Sequence, residues 1–492
     1  MLFNSLDFLV FFPIVTGLFF ALPRAGKVPL LLAASALFYM AFRPVYILIL
    51  LVTIVVDYFA GLWIAGAEGK RRKVLLALSI VVNCSFLGFF KYFNFLNENL
   101  RTLIALSGNE WPIADLSIIL PIGLSFHTFQ AMSYTIEVFR GRQAPEKSFS
   151  TFALYVLFYP QLVAGPIERP QNLLHQFHEP HPFDPKRAAD GLKLMAWGMF
   201  KKVAVADRLA MLVDKVYADP ASFDGAALLL GTVFFAFQIY CDFSGYSDIA
   251  RGSAEVMGFK LMTNFNRPYA ARSVSEFWKR WHISLSTWFK DYVYLPLGGS
   301  RVSAPRWAAN VMAVFLLSGL WHGAGWTFIA WGALNGLYLI GEAATAKARE
   351  GFSRAAGLDR LPWVRTALQV SITFALVCVA WVFFRASSMA DARLILGKLG
   401  PGLASLAQAE TWAGLKSLLV LSLGGSKLRA ALVVAALLGV YLVELLRDKG
   451  LTTREAISRQ PVWVRWPLYY ALVVATILLA PLVPSRFIYF QF

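Results

Sequence analysis

A lone histidine, His322, stands inside an apolar stretch in the second half of the chain. The run FLLSGLWHGAGWTFIAWGALNG covers residues 315–336, and no acidic or basic side chain other than His322 occurs from Val311 to Asn335. Burying an ionisable ring costs free energy unless the ring has a partner or a function. A buried neutral imidazole can accept a proton from a hydroxyl group, which is the chemistry of a general base in acyl transfer.

Local sequence alone leaves two interpretations of His322 open. A histidine on an apolar face is often a core residue with a satisfied hydrogen bond, and that interpretation needs no function. Three glycines, Gly319, Gly323 and Gly325, surround the ring and indicate either close backbone approach or a break in the span. Such a break would open the neighbourhood of the histidine, which favours the functional interpretation.

A second histidine, His282, lies in the segment EFWKRWHISLSTWFKD at residues 276–291. The spacing of apolar and polar residues predicts one amphipathic helix over this segment, with His282 on the apolar arc beside Trp278 and Leu285. The helix is expected to end at Pro296 and the glycines after it. The segment is either a helix at the membrane surface with a buried histidine or the wall of a substrate passage.

Three further histidines, His175, His178 and His181, occur in the run HQFHEPH. Their spacing resembles a metal-binding cluster, but Pro180 and Pro182 prevent a helix there. The run is therefore predicted to be an exposed polar turn, and no metal site is expected in the chain.

The remaining ionisable residues in apolar segments have structural explanations. His127 has no acid nearby and is expected to be a core residue. Asp242 and Asp248 could form the ion or proton site of a transporter, or could cap helices or pair with Arg251 or Arg267. The chain has no GxSxG, Walker A, HExxH or GxGxxG pattern, so serine hydrolase, ATPase, zinc protease and nucleotide dehydrogenase activities lack support.

The elements that must position these residues are membrane helices. The chain of 492 residues is 58% hydrophobic and 15% charged, whereas soluble domains are about 45–50% apolar and about 25% charged. The net charge of +17 falls mainly in short loops, where the positive-inside bias and contact with lipid headgroups explain it without nucleic acid. About eleven to thirteen membrane-embedded helices are expected, some of them re-entrant. The candidate segments are 6–22, 28–42, 45–66, 74–95, 117–138, 150–165, 190–212, 226–249, 308–322, 324–345, 366–385, 428–447 and 465–484.

One polar stretch, residues 250–306, is long enough to form a structure of its own. It contains nine Lys and Arg residues against three acids and is too aromatic for a solvated linker. We expect it to fold back into the helix bundle as an amphipathic or re-entrant insertion from the cytoplasmic side. The whole chain, 1–492, is predicted to be a single transmembrane domain.

Taken together, the runs around the two histidines resemble a known family. The run NRPYAARSVSEFWKRWHISLSTWFKDYVYLPLGGSR, followed by LLSGLWHGAGWTFIAWGALNG, is similar to the signature region of membrane-bound O-acyltransferases (MBOAT), in their bacterial branch of alginate O-acetylation proteins. Supporting stretches occur in the same order along nearly the whole chain. They are PIGLSFHTFQAMSYTIEVFRG, FYPQLVAGPIERP, QIYCDFSGYSDIARG, WVFFRASSMADA and the terminal RFIYFQF.

The resemblance implies a fold, a reaction and two site residues. The fold is an all-α polytopic membrane protein whose helices surround a thinned centre, where a funnel from each face meets near a histidine. The histidine characteristic of the family corresponds to His322, and the second polar position corresponds to His282. His322 would be the base, and His282 would orient the donor or hydrogen-bond the developing oxyanion. Lys279, Arg280 and Lys290 could meet the phosphates of coenzyme A, although plain contact with lipid headgroups is the favoured explanation.

The resemblance also implies the reactants and the setting. Acetyl groups from a cytoplasmic thioester, expected to be acetyl-CoA, would cross the bacterial inner membrane and reach an exported polysaccharide such as alginate. A periplasmic partner of the SGNH, serine-esterase-like type would make the final transfer. Transfer of another acyl group, D-alanyl or lipid, stays open, as does a non-enzymatic transporter or flippase. Transporters often contain internal repeats, and none is evident here.

Overall fold

The fold consists of α-helices, most of them joined by short connections, with longer stretches at 106–123 and 258–273. A computed structural model describes residues 1–117, 120–446 and 457–481, together with 485, 487 and 488, and this part of the chain contains no β-strand. The prediction of an all-α protein is therefore confirmed. Of the terminal run RFIYFQF, all but two residues lie outside the described part.

The α-helices are named here in chain order. They are α1 Leu6–Ala21, α2 Arg24–Met40, α3 Ile47–Ala65, α4 Gly69–Leu87, α5 Phe93–Ala105, α6 Leu124–Phe139, α7 Phe149–Leu157, α8 Tyr159–Leu162, α9 Pro170–Leu173, α10 Pro185–Met199, α11 Asp207–Ala218, α12 Gly225–Met257, α13 Val274–Arg280, α14 Ile283–Phe289, α15 Ala304–His322, α16 Trp326–Ala344, α17 Ala346–Ala355, α18 Pro362–Arg385, α19 Met389–Ser405, α20 Ala409–Ser422, α21 Lys427–Leu446 and α22 Val462–Leu479. Short π-helical turns occupy Gly88–Tyr92, Phe200–Ala206 and Lys290–Tyr294.

Several helices are long and apolar enough to cross a membrane. Within the described residues six helical stretches meet this condition: Pro44–Ala65, Gly69–Ala105, Gly225–Met257, Pro362–Arg385, Lys427–Leu445 and Val462–Leu479. The chain is thus a multi-pass membrane protein, as its composition predicts. The expectation of eleven to thirteen membrane-embedded helices also counts shorter and re-entrant segments, and it stays a prediction.

The chain packs as two compact units. The first comprises Met1–Met195 and Tyr246–Met262, and the second comprises Ala196–Gly245 and Thr263–Phe492. In the first unit a buried polar cluster joins three helices: the Asp57 carboxylate of α3 accepts hydrogen bonds from Ser79 (2.5 Å) and Asn83 (2.8 Å) of α4, and Ser79 also lies 3.1 Å from Thr135 of α6. Such polar contacts between helices fix the arrangement of α3, α4 and α6.

In the second unit, α15 and α16 form a closely packed hairpin. The helices approach so tightly that a Cβ on Gly319 would lie 2.3 Å from the Phe328 carbonyl oxygen, and one on Gly332 would lie 2.4 Å from that of Phe315. Only glycine permits this approach. The close backbone contact that the sequence indicated at Gly319 is therefore confirmed.

The prediction of one continuous helix over residues 276–291 is wrong. The segment is divided into α13 and α14, and His282 between them adopts a left-handed conformation with φ of 42°. No proline or glycine causes the break. It follows from hydrogen bonds to Asn264, which caps the start of α14 in place of a preceding helical turn.

Candidate active site

His322 is the last residue of α15, at a point where the helix gives way to extended backbone. Gly323 and Gly325 have φ angles of −159° and −174°, and α16 begins at Trp326. The break that the glycines indicated is confirmed. The His322 side chain is 4% exposed. Its ring centroid lies 4.9 Å from that of Trp321, 5.0 Å from Trp331 and 5.3 Å from Phe384.

His282 lies in the same unit and is completely buried. Its ring packs edge-on against Phe243 of α12, with centroids 4.7 Å apart, and lies 6.0 Å from Trp321. The ring centroids of His282 and His322 are 6.5 Å apart. The fold therefore brings together the two histidines that the sequence singled out.

Asn264 holds the backbone around His282 in place. Its carbonyl oxygen accepts a hydrogen bond from the Ile283 amide at 2.9 Å, and its Oδ1 accepts from the Ser284 amide at 3.2 Å and from Ser284 Oγ at 2.8 Å. The same Oδ1 lies 3.3 Å from His282 Nδ1. Asn264 is 1% exposed, so this arrangement is shielded from water.

Burial also controls the charge of His282. Desolvation lowers its pKa to about 3, because the surrounding rings cannot solvate an imidazolium. The titratable side chain facing it is His322, while Phe243 and Trp321 supply neighbouring rings. His282 is thus a neutral imidazole across the physiological pH range.

Tryptophan and phenylalanine rings build the surroundings of both histidines. Trp331 of α16 stacks on Trp381 of α18 at 6.1 Å, and Trp381 lies 5.2 Å from Phe384 and 5.1 Å from Trp281. This apolar wall strengthens electrostatic interactions within the site and orients the imidazoles by packing. In such an environment one fixed imidazole can accept and return a proton during attack of a hydroxyl on an activated carbonyl, and a second imidazole can hydrogen-bond a reactant.

The basic residues of the polar arc lie away from this wall. Lys279 and Lys290 are exposed, whereas Arg280 pairs with Glu276 and donates to the Arg267 carbonyl oxygen at 3.4 Å. Their contact with a phosphate-bearing donor stays a prediction.

The histidines of the run HQFHEPH point to separate partners. His175 lies 3.6 Å from Glu179, His178 lies 2.8 Å from Glu146, and His181 Nε2 lies 2.7 Å from the carbonyl oxygen of Gln176. The first four residues of the run, 175–178, lie in the short 3₁₀ turn Leu174–His178.

The other ionisable candidates occupy helices. His127 is buried in α6 with Nδ1 3.3 Å from the Gly123 carbonyl oxygen. Asp248 lies 3.7 Å from Arg251, one of the partners proposed from sequence. Asp242 instead pairs with Lys202 at 2.7 Å. Pairing with Arg251 or Arg267 is one of several roles that the sequence leaves open for Asp242, and Lys202 is not among the partners that it suggests. Lys202 lies in the π-helical turn Phe200–Ala206, against Gly245 of α12.

Sequence reasoning missed Asn264. The residue lies two positions before the NRPY run, and its contacts with residues 282–284 arise from tertiary folding that no helical periodicity reveals. The available signal was the polar pair Asn264 and Asn266 in an aromatic segment, because Asn favours caps and tight turns.

Comparison with known proteins shows that both histidines lie within the part of the chain that a family model matches. A family model described as MBOAT, membrane-bound O-acyltransferase family, matches residues 139–355. The chain is 41% identical over 394 residues to a probable alginate O-acetylase of Pseudomonas aeruginosa, covering 79% of this chain and 73% of that protein. It is 36% identical over 429 residues to a peptidoglycan O-acetyltransferase of Helicobacter pylori, covering 80% and 79%. A teichoic acid D-alanyltransferase of Streptococcus thermophilus is 30% identical over 290 residues, covering 54% and 68%.

Proposed function

Because the chain belongs to the membrane-bound O-acyltransferase family, we propose that it moves acetyl groups from a cytoplasmic thioester across the membrane to an exported polysaccharide. The resemblance drawn from the two histidine runs is confirmed, and the chain is a multi-pass membrane O-acyltransferase. The observation that carries the proposal is the pair of buried histidines 6.5 Å apart at the helix breaks before α14 and after α15.

In the proposed reaction His322 is the general base. The acceptor hydroxyl oxygen attacks the thioester carbonyl carbon while His322 takes the hydroxyl proton. The tetrahedral intermediate then collapses, the carbon–sulfur bond breaks, and the imidazolium returns the proton to the departing thiolate. General acid–base assistance of this kind contributes about 10²–10⁴-fold to the rate. No covalent acyl-enzyme is needed, since a thioester is already activated.

The proposed donor is acetyl-CoA. Its phosphates carry several negative charges, so the molecule cannot cross a bilayer, and the reaction must occur at a point that both sides can reach. Histidines at breaks between helices suit such a point, because irregular backbone at membrane depth is tolerated where it is enclosed by protein or lines a cavity.

The proposed setting follows from the relatives. Alginate and peptidoglycan are the polymers named for two of them, so a polysaccharide is the proposed final acceptor, and the bacterial inner membrane is the proposed location. A periplasmic SGNH, serine-esterase-like acetyltransferase is the proposed partner for the last transfer. D-alanyl transfer is the second candidate, supported by the similarity to the teichoic acid enzyme.

Replacing His322 with Ala tests the proposal. Membranes containing normally inserted variant protein are expected to lose acetylation of exported polymer by at least 10²-fold, measured by mass spectrometry. The matched control is His127→Ala. It removes a buried histidine that lies in α6, and acetylation is expected to be retained. Persistence of acetylation in the His322→Ala strain at normal protein levels would disprove the assignment of the base.

The donor needs a separate experiment. Inside-out membrane vesicles expose the cytoplasmic side, and we expect them to consume added radiolabelled acetyl-CoA in a His322-dependent manner. Right-side-out vesicles should not consume it. A D-alanyl thioester in place of acetyl-CoA distinguishes the second candidate, and consumption of that thioester alone would replace acetyl transfer with D-alanyl transfer.

A further inference from the structure

Asn264 is a buried side chain that lies beside His282 but outside both histidine runs. We propose that Asn264 holds His282 as the tautomer with its proton on Nδ1, so that Nε2 presents a lone pair to a hydrogen-bond donor on one of the reactants. This inference rests on the proposed acyl-transfer function. Asn264 would be a positioning residue, acting through His282 rather than on the reacting atoms.

The hydrogen bonds of Asn264 identify which atom faces the histidine. The Ser284 amide can only donate a hydrogen bond, and it points at 3.2 Å to the same Asn264 atom that lies 3.3 Å from His282 Nδ1. That atom must therefore be the oxygen of the amide and not its nitrogen. An oxygen acceptor requires a donor, so Nδ1 carries the proton in this arrangement.

The tautomer decides between the two roles that the family resemblance left for His282. A neutral imidazole with its proton on Nδ1 has only a lone pair on Nε2, so Nε2 cannot donate a hydrogen bond to an oxyanion. Burial keeps the ring neutral, since desolvation holds its pKa far below 7. His282 is thus suited to orient a reactant through an N–H or O–H group, and oxyanion stabilisation falls to other donors.

The backbone conformation of His282 is imposed by its surroundings. A φ of 42° is unfavourable for a residue with a Cβ and persists only where the surroundings enforce it. Asn264 enforces it through its main-chain and side-chain bonds to Ile283 and Ser284. One residue therefore fixes both the direction of the ring and the position of its proton.

Solid-state NMR of the ¹⁵N-histidine-labelled protein in lipid tests the tautomer directly and without any acetyl donor. The chain has six histidines, and a His282→Gln sample identifies the signal of His282. We expect a protonated Nδ1 and a bare Nε2 in the wild-type protein, and a shift toward protonated Nε2 in Asn264→Ala. A protonated Nε2 in the wild type would overturn the proposal even if acetyl transfer proceeds.

Kinetic measurements test whether Asn264 affects acetyl transfer through His282. The informative variant is Asn264→Asp. Aspartate caps a helix as well as asparagine does, so a purely structural role predicts normal folding and an unchanged pH profile. A carboxylate beside Nδ1 instead favours the imidazolium, and the acid limb of the kcat profile should move up by about 1–3 pH units. The titratable group facing His282 from α15 is His322, so the profile is compared with that of His322→Gln to separate the two rings.

Asn264→Ala should lower kcat on the order of 10²-fold, as expected for a displaced catalytic group. Its matched control is Asn310→Ala, which removes another buried asparagine of the same unit that binds the carbonyl oxygens of Leu297 and Gly299. The control is expected to keep the His282 tautomer and the pH profile.

An unshifted acid limb in Asn264→Asp, with normal folding, would reduce Asn264 to a helix cap. Absence of acetyl transfer by the wild-type protein would instead reject the proposed function, and the tautomer of His282 measured by NMR would still hold.

Discussion

At the scale of single residues, His282 combines a chemical group with an unusual backbone conformation. His282→Ala is expected to lose most acetyl transfer without loss of expression, because the ring near His322 disappears. Alanine at φ of 42° also strains the chain. His282→Gly separates the two effects, since glycine adopts this conformation freely. Equal loss of activity in both variants would identify the ring as the cause, and wild-type turnover in either would assign His282 a structural role.

The two histidines could be found from sequence, but their relation to one another could not. His322 stands alone in an uncharged stretch, and such isolation is a signal within one segment. Asn264 gives no comparable signal, because its importance arises from contacts across residues 264–284 that form only in the folded chain. The resemblance to the family identified both histidines and did not include Asn264.

At the scale of helices, the α15–α16 hairpin sets the position of His322. Gly332→Ala would place a Cβ 2.4 Å from the Phe315 carbonyl oxygen, and backbone cannot yield as a flexible side chain does. Overpacking of this kind costs about 1–3 kcal/mol. We expect a lower thermal unfolding temperature in detergent and reduced transfer.

A control for this substitution exists on the same helix. A Cβ on Gly341 meets nothing within 4 Å, so Gly341→Ala should leave stability unchanged or raise it slightly, as alanine favours helix. Similar unfolding temperatures for the Gly332 and Gly341 variants would show that the hairpin can separate without cost, contrary to the packing described above.

Helices were predictable where a long apolar run had clear ends, and not where a tertiary contact divided a regular pattern. The predicted segment 308–322 lies within α15 and ends at the same residue. Residues 276–291 keep an amphipathic period throughout, yet Asn264 ends one helix and begins another inside it. A periodic pattern reports which face is apolar, and it contains no information on a cap supplied from elsewhere in the chain.

At the scale of the molecule, long-range ionic contacts hold distant parts of the second unit together. Lys202 lies 2.7 Å from both Asp207 and Asp242, and Asp242 also accepts a hydrogen bond from the Ile488 amide at 2.8 Å. These residues are buried, and the hydrogen bond between Ile488 and Asp242 joins positions 246 residues apart. From its sequence context Asp242 is an ionisable residue in an apolar segment with several possible roles. Lys202 is not among the partners that this context suggests, because charge type alone does not specify which cation the fold brings near.

This network predicts a large effect for a small change. Asp242→Asn removes one of the two carboxylates that contact the buried Lys202, and Asp207 remains as its partner. The expected cost is therefore that of one charge-assisted contact, about 1.5–3 kcal/mol. We expect a clear fall in the unfolding temperature in detergent. Glu350→Gln breaks an exposed pair with Arg354, for which about 0–1 kcal/mol is expected, so it serves as the matched control. If the two variants unfold together, the buried network does not stabilise the second unit. If Asp242→Asn instead keeps its stability and loses acetyl transfer, Asp242 has a functional role, such as the ion or proton site that is one of the alternatives left open from sequence.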